Sequence, residues 1–222
     1  MEDNMKLHDI FKTSIINTIR FNLYYFGLRR IFRPPVLISK NVSLHALKGN
    51  VVVNNSQIGA IRLGYGSVGI IDGKKERFIW ENAGNVIFDN RAVLNIGTRV
   101  CCMKGGTIKF GRNFVCNGRS SFICAKSISF GDDCLISWDC LFMDTDFHKI
   151  LDMDTGEQLN TVGSLCVGNH VWIGCRCLIL KGANIPNDSV IAAGSKCTKS
   201  LCKSNSVYVD NSIIKENVNW KM

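Results

Sequence analysis

The stretch VGNHVWIGCRCLILKGANIPNDSVIAAGSK, residues 167–196, repeats a pattern every six residues. A large aliphatic residue returns at each sixth position, at Val167, Ile173, Ile179, Ile185 and Ile191. A second series follows each of these by four residues, at Val171, Cys177, Ala183, Ser189 and Ser195. A half-buried strand alternates every two residues, so a period of six predicts a solenoid instead. Each unit is then one flat side of a coil, a short strand plus a corner, and both series point inward. Three sides complete one turn of the coil. Successive turns stack, and equivalent residues of each turn then align in ladders.

The pattern extends less regularly toward the N-terminus. From Val36 onward, short apolar pieces alternate with Gly, Asn, Asp and Ser, as in GTIKFGRNFVCNG (106–118) and SISFGDDCLIS (127–137). Such pieces predict short strands separated by turns, whose corner residues tolerate left-handed backbone angles. The regular coil stops at Phe142 and resumes at Val167, and the interval between them is not a multiple of six. We therefore expect a solenoid over residues 36–203, an extruded loop at about 143–166, and a C-terminal tail over residues 204–222.

Residues 1–35 differ from the rest and predict a helical segment that ends before Pro34-Pro35. Its apolar residues recur at helical spacing, at Leu7, Phe11, Ile15, Ile19, Leu23 and Phe26. Its positive charges are Lys12, Arg20, Arg29, Arg30 and Arg33. Two interpretations stay open at this point. The stripe packs on the main domain, or it lies on an anionic membrane surface.

Composition limits the class of protein. The 222 residues suffice for a sizeable core. The net charge of +9 favours an anionic partner such as nucleic acid, a membrane surface or a phosphate-rich small molecule, and a basic surface without a dedicated partner is the alternative. Nucleic acid is not expected, because the cations are scattered and no recognised binding motif accompanies them. The 11 cysteines lack the spacing of a disulfide framework or a zinc ribbon. Because Cys134, Cys140 and Cys177 fall within the six-residue pattern, we expect most cysteines to be buried reduced thiols.

The chain carries no secretory signal pattern and no apolar run of the roughly 18 residues that cross a bilayer. Together with the reduced thiols, this predicts a cytoplasmic protein. Peripheral contact with the inner membrane face through residues 1–35 is the open alternative.

The segments VGNHVWIGCRCLILKGANIPNDSVIAAGSKCTKSL (Val167–Leu201) and ISWDCLFMDTDFHKI (Ile136–Ile150) resemble the bacterial hexapeptide-repeat acyltransferases. The closest branch holds the maltose, galactoside and exopolysaccharide O-acetyltransferases. The resemblance implies an all-β solenoid, a left-handed parallel β-helix, that assembles as a homotrimer. It implies that acyl-CoA lies in the groove between adjacent helices, with acetyl-CoA as the donor, and that a loop histidine, here His148, is the catalytic base.

This role suits the chemistry of His148. A protonated hydroxyl is a poor nucleophile, and neutral imidazole can take its proton near neutral pH. The thioester already has a good leaving group, so we expect direct transfer without a covalent enzyme intermediate. Asp144 and Asp146 flank the histidine and are candidates to orient it or to contact the sugar. A metal site built from these three residues is the alternative. We predict no metal, because the related γ-type carbonic anhydrases use three histidines and only His148 and His170 lie in the repeat region. We expect His170 to face solvent.

The resemblance also assigns positions to the donor and the acceptor. It places the thioester end of the donor near Trp172 and the pantetheine arm near Ala193. It places the adenosine phosphates near Thr198 and Lys199. Cys175, three residues after Trp172, is a further candidate for donor binding. Cys175 stands where the family often has serine. Lys181, Lys196 and Lys203 are expected to join Lys199 in a positive strip that pairs with the phosphates of coenzyme A. Asn117 is the candidate to contact the acetyl acceptor. The sequence thus predicts an acyl-CoA-dependent O-acetyltransferase acting on a sugar or polysaccharide precursor. The alternatives are transfer to an amino sugar or to serine, and a non-catalytic trimeric scaffold.

Overall fold

A computed structural model describes residues 11–221, so the prediction for Leu7 lies outside the described residues. The α-helix α1 (Ile15–Phe26) and a 3₁₀ turn (Leu28–Arg30) precede the strands. The strands of the first half are β1 (Val36–Ile38), β2 (Val42–Leu47), β3 (Asn50–Val53), β4 (Ile61–Leu63), β5 (Phe78–Asn82), β6 (Asn85–Phe88), β7 (Ala92–Leu94), β8 (Arg99–Cys102), β9 (Thr107–Phe110), β10 (Phe114–Gly118) and β11 (Ser121–Cys124). Those of the second half are β12 (Ser127–Phe130), β13 (Leu135–Trp138), β14 (Leu141–Met143), β15 (Leu165–Val167), β16 (Trp172–Ile173), β17 (Leu178–Leu180), β18 (Asn184–Ile185), β19 (Val190–Ile191), β20 (Lys196–Cys197), β21 (Ser206–Val209) and β22 (Ser212–Glu216).

From β1 to β20, consecutive strands belong in turn to three parallel sheets. Sheet one runs β1-β4-β7-β10-β13-β16-β19-β21-β22, sheet two runs β2-β5-β8-β11-β14-β17-β20, and sheet three runs β3-β6-β9-β12-β15-β18. Every third strand therefore stacks on its predecessor, and three strands make one coil. This topology confirms the predicted all-β solenoid, the left-handed parallel β-helix of the sequence analysis.

The six-residue ladders lie inside the coils, as predicted. All ten residues of the two series between Val167 and Ser195 are at most 1% exposed. The corners between them hold residues with left-handed backbone angles, also six apart, at His170, Arg176, Gly182, Asp188 and Gly194. Glycine adopts these angles without strain, and the other residue types occupy them only because the surrounding coil fixes the turn.

The earlier coils are wider than the later ones, which explains their irregular sequence pattern. Trp172 stacks under Val190, so a later coil takes three six-residue units and no more. Val115 stacks under Leu135, which makes that coil two residues longer, and Ala92 stacks under Phe114, which makes that one four residues longer. We call the longer turns the wide coils and the others the narrow coils. A wide coil still has three sides, but its inward residues no longer return at every sixth position.

The helix α1 closes the open N-terminal edge of sheet one with polar side chains. Asn22 donates to the carbonyl of Val36 at 2.8 Å and accepts from its N–H, while Thr18 Oγ1 accepts from the N–H of Ile38 at 3.1 Å. Phe21 lies between them and packs edge-on against Trp80. These contacts satisfy backbone groups that an edge strand would otherwise leave unpaired. The helix therefore packs on the domain. Of the predicted apolar stripe, Phe11, Ile15, Ile19 and Leu23 are exposed, whereas Phe26 packs against the core.

The solenoid continues beyond residue 203, where the sequence predicted a tail. β21 pairs in parallel with β19, and β22 pairs antiparallel with β21, so a hairpin ends sheet one. After the hairpin the chain turns back and buries Trp220 against the corner at His170.

Candidate active site

The predicted loop is an arm, residues 144–164, between β14 of sheet two and β15 of sheet three. Its first residue, Asp144, is fully buried. The Asp144 carboxylate accepts hydrogen bonds from the N–H groups of Ala125, Lys126 and Ser127 at 2.7–2.8 Å. Ala125 and Lys126 form the turn between β11 and β12, and Ser127 begins β12, so the carboxylate anchors the base of the arm to the coil before it. Because these bonds engage both carboxylate oxygens of a buried residue, Asp144 is not placed to contact the sugar or a metal ion.

The exposed part of the arm carries His148 and is held in place by an ion pair to the next coil and by hydrogen bonds within the arm. Asp146 forms an ion pair with Lys181, which lies in the next coil, and accepts from Asn160 Nδ2 at 2.7 Å. The same Asn160 nitrogen donates to the carbonyl of His148 at 2.8 Å. Hydrogen bonding to Lys181, and then to Asn160, lowers the pKa of Asp146, so this contact persists at neutral pH and is lost only in acid. The arm thus presents an exposed imidazole on a fixed backbone.

Three of the residues predicted to bind the acyl-CoA donor lie at one corner of the last coils, between sheets one and two. Trp172, 39% exposed, stands on β16 and donates its indole N–H to Ser137 Oγ at 3.1 Å. Cys175 is half-buried, and its carbonyl accepts from the Gly194 N–H at 2.8 Å, which places Cys175 beside Ala193. A side chain at the intervening Gly174 would stand 2.6 Å from the Ala193 nitrogen, so glycine permits this close approach of the two coils.

The other two donor positions lie at the next corner, between sheets two and three. Thr198 and Lys199 follow β20 and are exposed, and the Thr198 carbonyl lies close to Gly182 of the coil before. The arm leaves the solenoid at the same corner, two coils earlier. The width of sheet two, one six-residue unit or at most about 20 Å of extended chain, therefore separates His148, Thr198 and Lys199 from Trp172, Cys175 and Ala193.

Asn117 lies on the outward side of sheet one. Its neighbours Cys116 and Gly118 pair with Ile136 and Trp138, so Asn117 lies beside Ser137, the residue that holds the Trp172 indole. Asn117 is thus grouped with the Trp172 corner and not with His148.

The predicted positive strip is only partly present. Lys181 is paired with Asp146, and Lys203 is paired with Glu216 at 2.6 Å. Lys196 and Lys199 expose their side chains beside Thr198.

Sequence reasoning missed an aromatic contact made by the C-terminal segment. The Trp220 indole stacks on the His170 ring, with centroids 4.5 Å apart, and lies 6.2 Å from the ring of Trp172. His170 Nδ1 is 2.9 Å from an Asp188 carboxylate oxygen. His170, expected to face solvent, is therefore partly covered, because the chain after the hairpin folds back over it. A lone tryptophan after an exposed hairpin was the only signal in the sequence.

Most of the thiols lie in the core, as predicted, and are poorly suited to act as nucleophiles. All 11 cysteines are free, and seven of them are buried. Burial raises the pKa of Cys134 and of Cys197 to about 12, so both stay protonated at neutral pH. Among residues 11–221, no group of three His, Cys, Asp or Glu side chains is arranged to hold a metal ion.

Two solved acetyltransferase structures align with most of the chain at low sequence identity. The polysialic acid acetyltransferase NeuO aligns with a TM-score of 0.49 and 19% identity, over 84% of this chain and 78% of its own. The polysialic acid O-acetyltransferase OatWY aligns with a TM-score of 0.43 and 21% identity, over 82% and 88%. No protein-family model matches the chain.

Curated relatives match part of the sequence more closely. A polysialic acid O-acetyltransferase of Neisseria meningitidis is 36% identical over 66 residues, which is 30% of this chain and 31% of the relative. The galactoside O-acetyltransferase of Escherichia coli strain K12 is 30% identical over 97 residues, 44% of this chain and 47% of the relative. The chain thus spans about a third to a half of the length of these relatives. As predicted from Val167–Leu201, it resembles the O-acetyltransferases of the hexapeptide-repeat family.

Proposed function

We propose that this chain is an acyl-CoA-dependent O-acetyltransferase that acts on a hydroxyl of a sugar or polysaccharide precursor. The observation that carries the proposal is the arm, which presents the exposed His148 on a backbone fixed by Asn160 and by the ion pair between Asp146 and Lys181. A general base needs such a fixed position within hydrogen-bond reach of the proton that it abstracts. The two named relatives are both O-acetyltransferases, one of polysialic acid and one of galactosides.

In this mechanism the donor supplies an activated acetyl thioester, and the chain moves one proton. Neutral His148 accepts the proton of the sugar hydroxyl as the oxygen bonds to the acetyl carbon. As the C–S bond breaks, the imidazolium gives that proton to the departing thiolate, which leaves as the thiol. Lys196 and Lys199 suit the phosphates of coenzyme A, because a compact ammonium pairs well with a phosphate. The protonated thiols Cys134 and Cys197 give no reason to add an acyl-cysteine step.

We further propose that the active enzyme is a homotrimer. In one copy, sheet two separates the corner that carries His148 and Lys199 from the corner that carries Trp172 and Ala193. Two copies placed side by side would bring one corner of each into a shared groove, which completes the site. Exposed apolar residues on the outward faces, such as Trp172 and Leu178, give these copies a surface to bury. Peripheral contact of residues 1–35 with a membrane stays a prediction that does not depend on this assembly.

Acetyl transfer from acetyl-CoA to a panel of acceptors, including polysialic acid and galactosides, tests the proposal. We expect His148→Ala to lower kcat by about 10²-fold or more, because the variant lacks the base. His148 is exposed, so its loss should leave the packing of the domain unchanged. The matched control is His45→Ala, an exposed histidine on β2 at the other end of the solenoid. Sedimentation of the same preparations should give about three times 24.7 kDa. Full turnover by His148→Ala would contradict the assignment of His148 as the base. A monomer with full activity would contradict the proposal that two copies share the groove.

A further inference from the structure

The outward side of α1 exposes a continuous apolar surface. Ile16 is 79% exposed and Leu23 is 42% exposed, one above the other along the side opposite Thr18 and Asn22. Further exposed apolar residues on the helix are Ile15, Ile19 and Tyr24, and Leu28 and Phe32 follow it. Single apolar side chains are common on protein surfaces, but a contiguous group of this size indicates a binding face. We call these seven residues the α1 face.

Charge is segregated to the same end of the molecule. Residues 11–71 contain no Asp or Glu and eight cations, at Lys12, Arg20, Arg29, Arg30, Arg33, Lys40, Lys48 and Arg62. Residues 72–222 contain 18 cations and 15 acids, a net charge of only +3. Along residues 11–71, the α1 face is therefore flanked by cations and by no carboxylate, and residues 1–10 add Glu2, Asp3, Lys6 and Asp9. A second copy of this chain would bring the same positive charge to that face, so self-association is disfavoured there.

The position of the α1 face suits a planar surface. The helix covers the open edge of β1, so its outer side looks away from the stack of coils. β13 and β14, which precede the arm, stand four coils above β1 and β2, or roughly 20 Å at about 4.8 Å per stacked strand. An object bound at the α1 face would leave His148 accessible.

We propose that the α1 face docks the chain end-on to an anionic lipid bilayer. The apolar side chains enter the boundary between headgroups and acyl chains, and the surrounding arginines and lysines pair with anionic headgroups. Within residues 11–221 no helix combines the length and the apolarity needed to cross a bilayer, so the contact is peripheral for this part of the chain. The inference goes beyond acetyl transfer and does not require it.

Flotation of the full chain with vesicles of phosphatidylcholine, or of phosphatidylcholine with phosphatidylglycerol, tests the docking. We expect binding to the anionic vesicles to be about tenfold or more tighter than to the neutral ones and to fall as salt is added. The double variant Ile16→Ser with Leu23→Ser should weaken binding about tenfold or more. Its matched control, Val209→Ser with Ile214→Ser, removes two exposed apolar residues from the C-terminal hairpin and should bind as the unaltered chain does.

A second pair of variants isolates the charge. Arg29→Gln with Arg30→Gln should weaken binding to anionic vesicles and flatten its salt dependence. Lys74→Gln with Lys75→Gln removes two adjacent cations outside the acid-free segment and should change neither. Equal affinity for both kinds of vesicle, or no binding to either, would overturn the proposal. A different result would also overturn it: the unaltered chain does not bind vesicles, and the Ile16→Ser with Leu23→Ser variant forms a smaller assembly. The α1 face would then be an interface between copies of the chain. Acetylation of a small water-soluble acceptor should be unchanged in all four variants, which separates this inference from the proposed activity.

Discussion

The coils before the arm and the coils after it solve the same packing problem with different residues. Before the arm, the wide coils enclose phenylalanines, at Phe88, Phe110, Phe114, Phe122, Phe130 and Phe142. After the arm, the narrow coils enclose Ile173, Ile179, Ile185 and Ile191. Two to four added residues lengthen the perimeter of a coil by roughly 7–13 Å at about 3.3 Å each. The wider cross-section accommodates aromatic rings, and the narrower one accommodates branched aliphatic chains.

The aromatic core is itself built as ladders. The rings of Phe88 and Phe110 stack 5.1 Å apart, those of Phe110 and Phe130 stack 5.7 Å apart, and those of Phe122 and Phe142 stack 5.0 Å apart. These separations are close to the spacing of about 4.8 Å between neighbouring strands, so each ring rests on its equivalent one coil away. The difference teaches that the size of the core residue and the length of the turn are matched.

Phe110→Ala should produce the largest effect on stability, a loss of about 3–5 kcal/mol in the free energy of unfolding. The Phe110 ring contacts four others, Phe88, Phe114, Phe122 and Phe130, and a wide coil cannot collapse around the cavity that its removal leaves. Urea unfolding followed by circular dichroism measures the loss. Phe32→Ala, where the ring is 88% exposed, is the control and should change little. A loss below about 1 kcal/mol for Phe110→Ala would mean that the wide coils are not held by their rings.

Ile179→Phe tests the match between turn length and core size directly. Ile179 lies in a narrow coil directly above Phe142, so a phenylalanine there would continue the ring ladder by one coil. We expect it to destabilise the chain by about 1–3 kcal/mol, because the narrow coil must overpack. Ile214→Phe, at an exposed position in the hairpin, is the control. If Ile179→Phe unfolds at the same or higher urea concentration than the unaltered chain, turn length does not limit core size.

The sequence revealed the fold where turn length and hexad period coincide, and less where they do not. Val167–Ser195 gave the ladders residue by residue, whereas the wide coils made Val36–Phe114 look irregular although it forms the same architecture. The α1 prediction identified the helix, but Ile19 and Leu23 of the predicted stripe face outward and only Phe26 packs against the core. Periodicity cannot show that Thr18 and Asn22 would be needed on the inner side for the edge strand.

The candidate site was predictable only as a set of separate residues. Resemblance located His148, Trp172, Ala193 and Lys199 along the chain, and His148 stands exposed on its arm. Asp144 looked like a partner of His148, but three N–H groups of a neighbouring turn take its carboxylate. Such a contact joins residues one coil apart, which become neighbours only when coils stack. The same holds for the contact between Trp220 and His170, which lie far apart in the sequence.

Ser195→Ala should produce the smallest effect and sharpen the account of the narrow coils. The series of small inward residues includes both Ala183 and Ser195, so the space accepts either, yet the Ser195 hydroxyl is buried with no hydrogen-bond partner among residues 11–221. A buried hydroxyl without a partner costs free energy, and removing it should raise the free energy of unfolding by up to about 1 kcal/mol. Ser189→Ala is the matched control, because Ser189 Oγ donates to the Asn187 carbonyl at 3.2 Å, and its loss should destabilise slightly. If Ser195→Ala is the less stable of the two, an unseen partner holds that hydroxyl, and the small positions are selected for hydrogen bonding as well as for size.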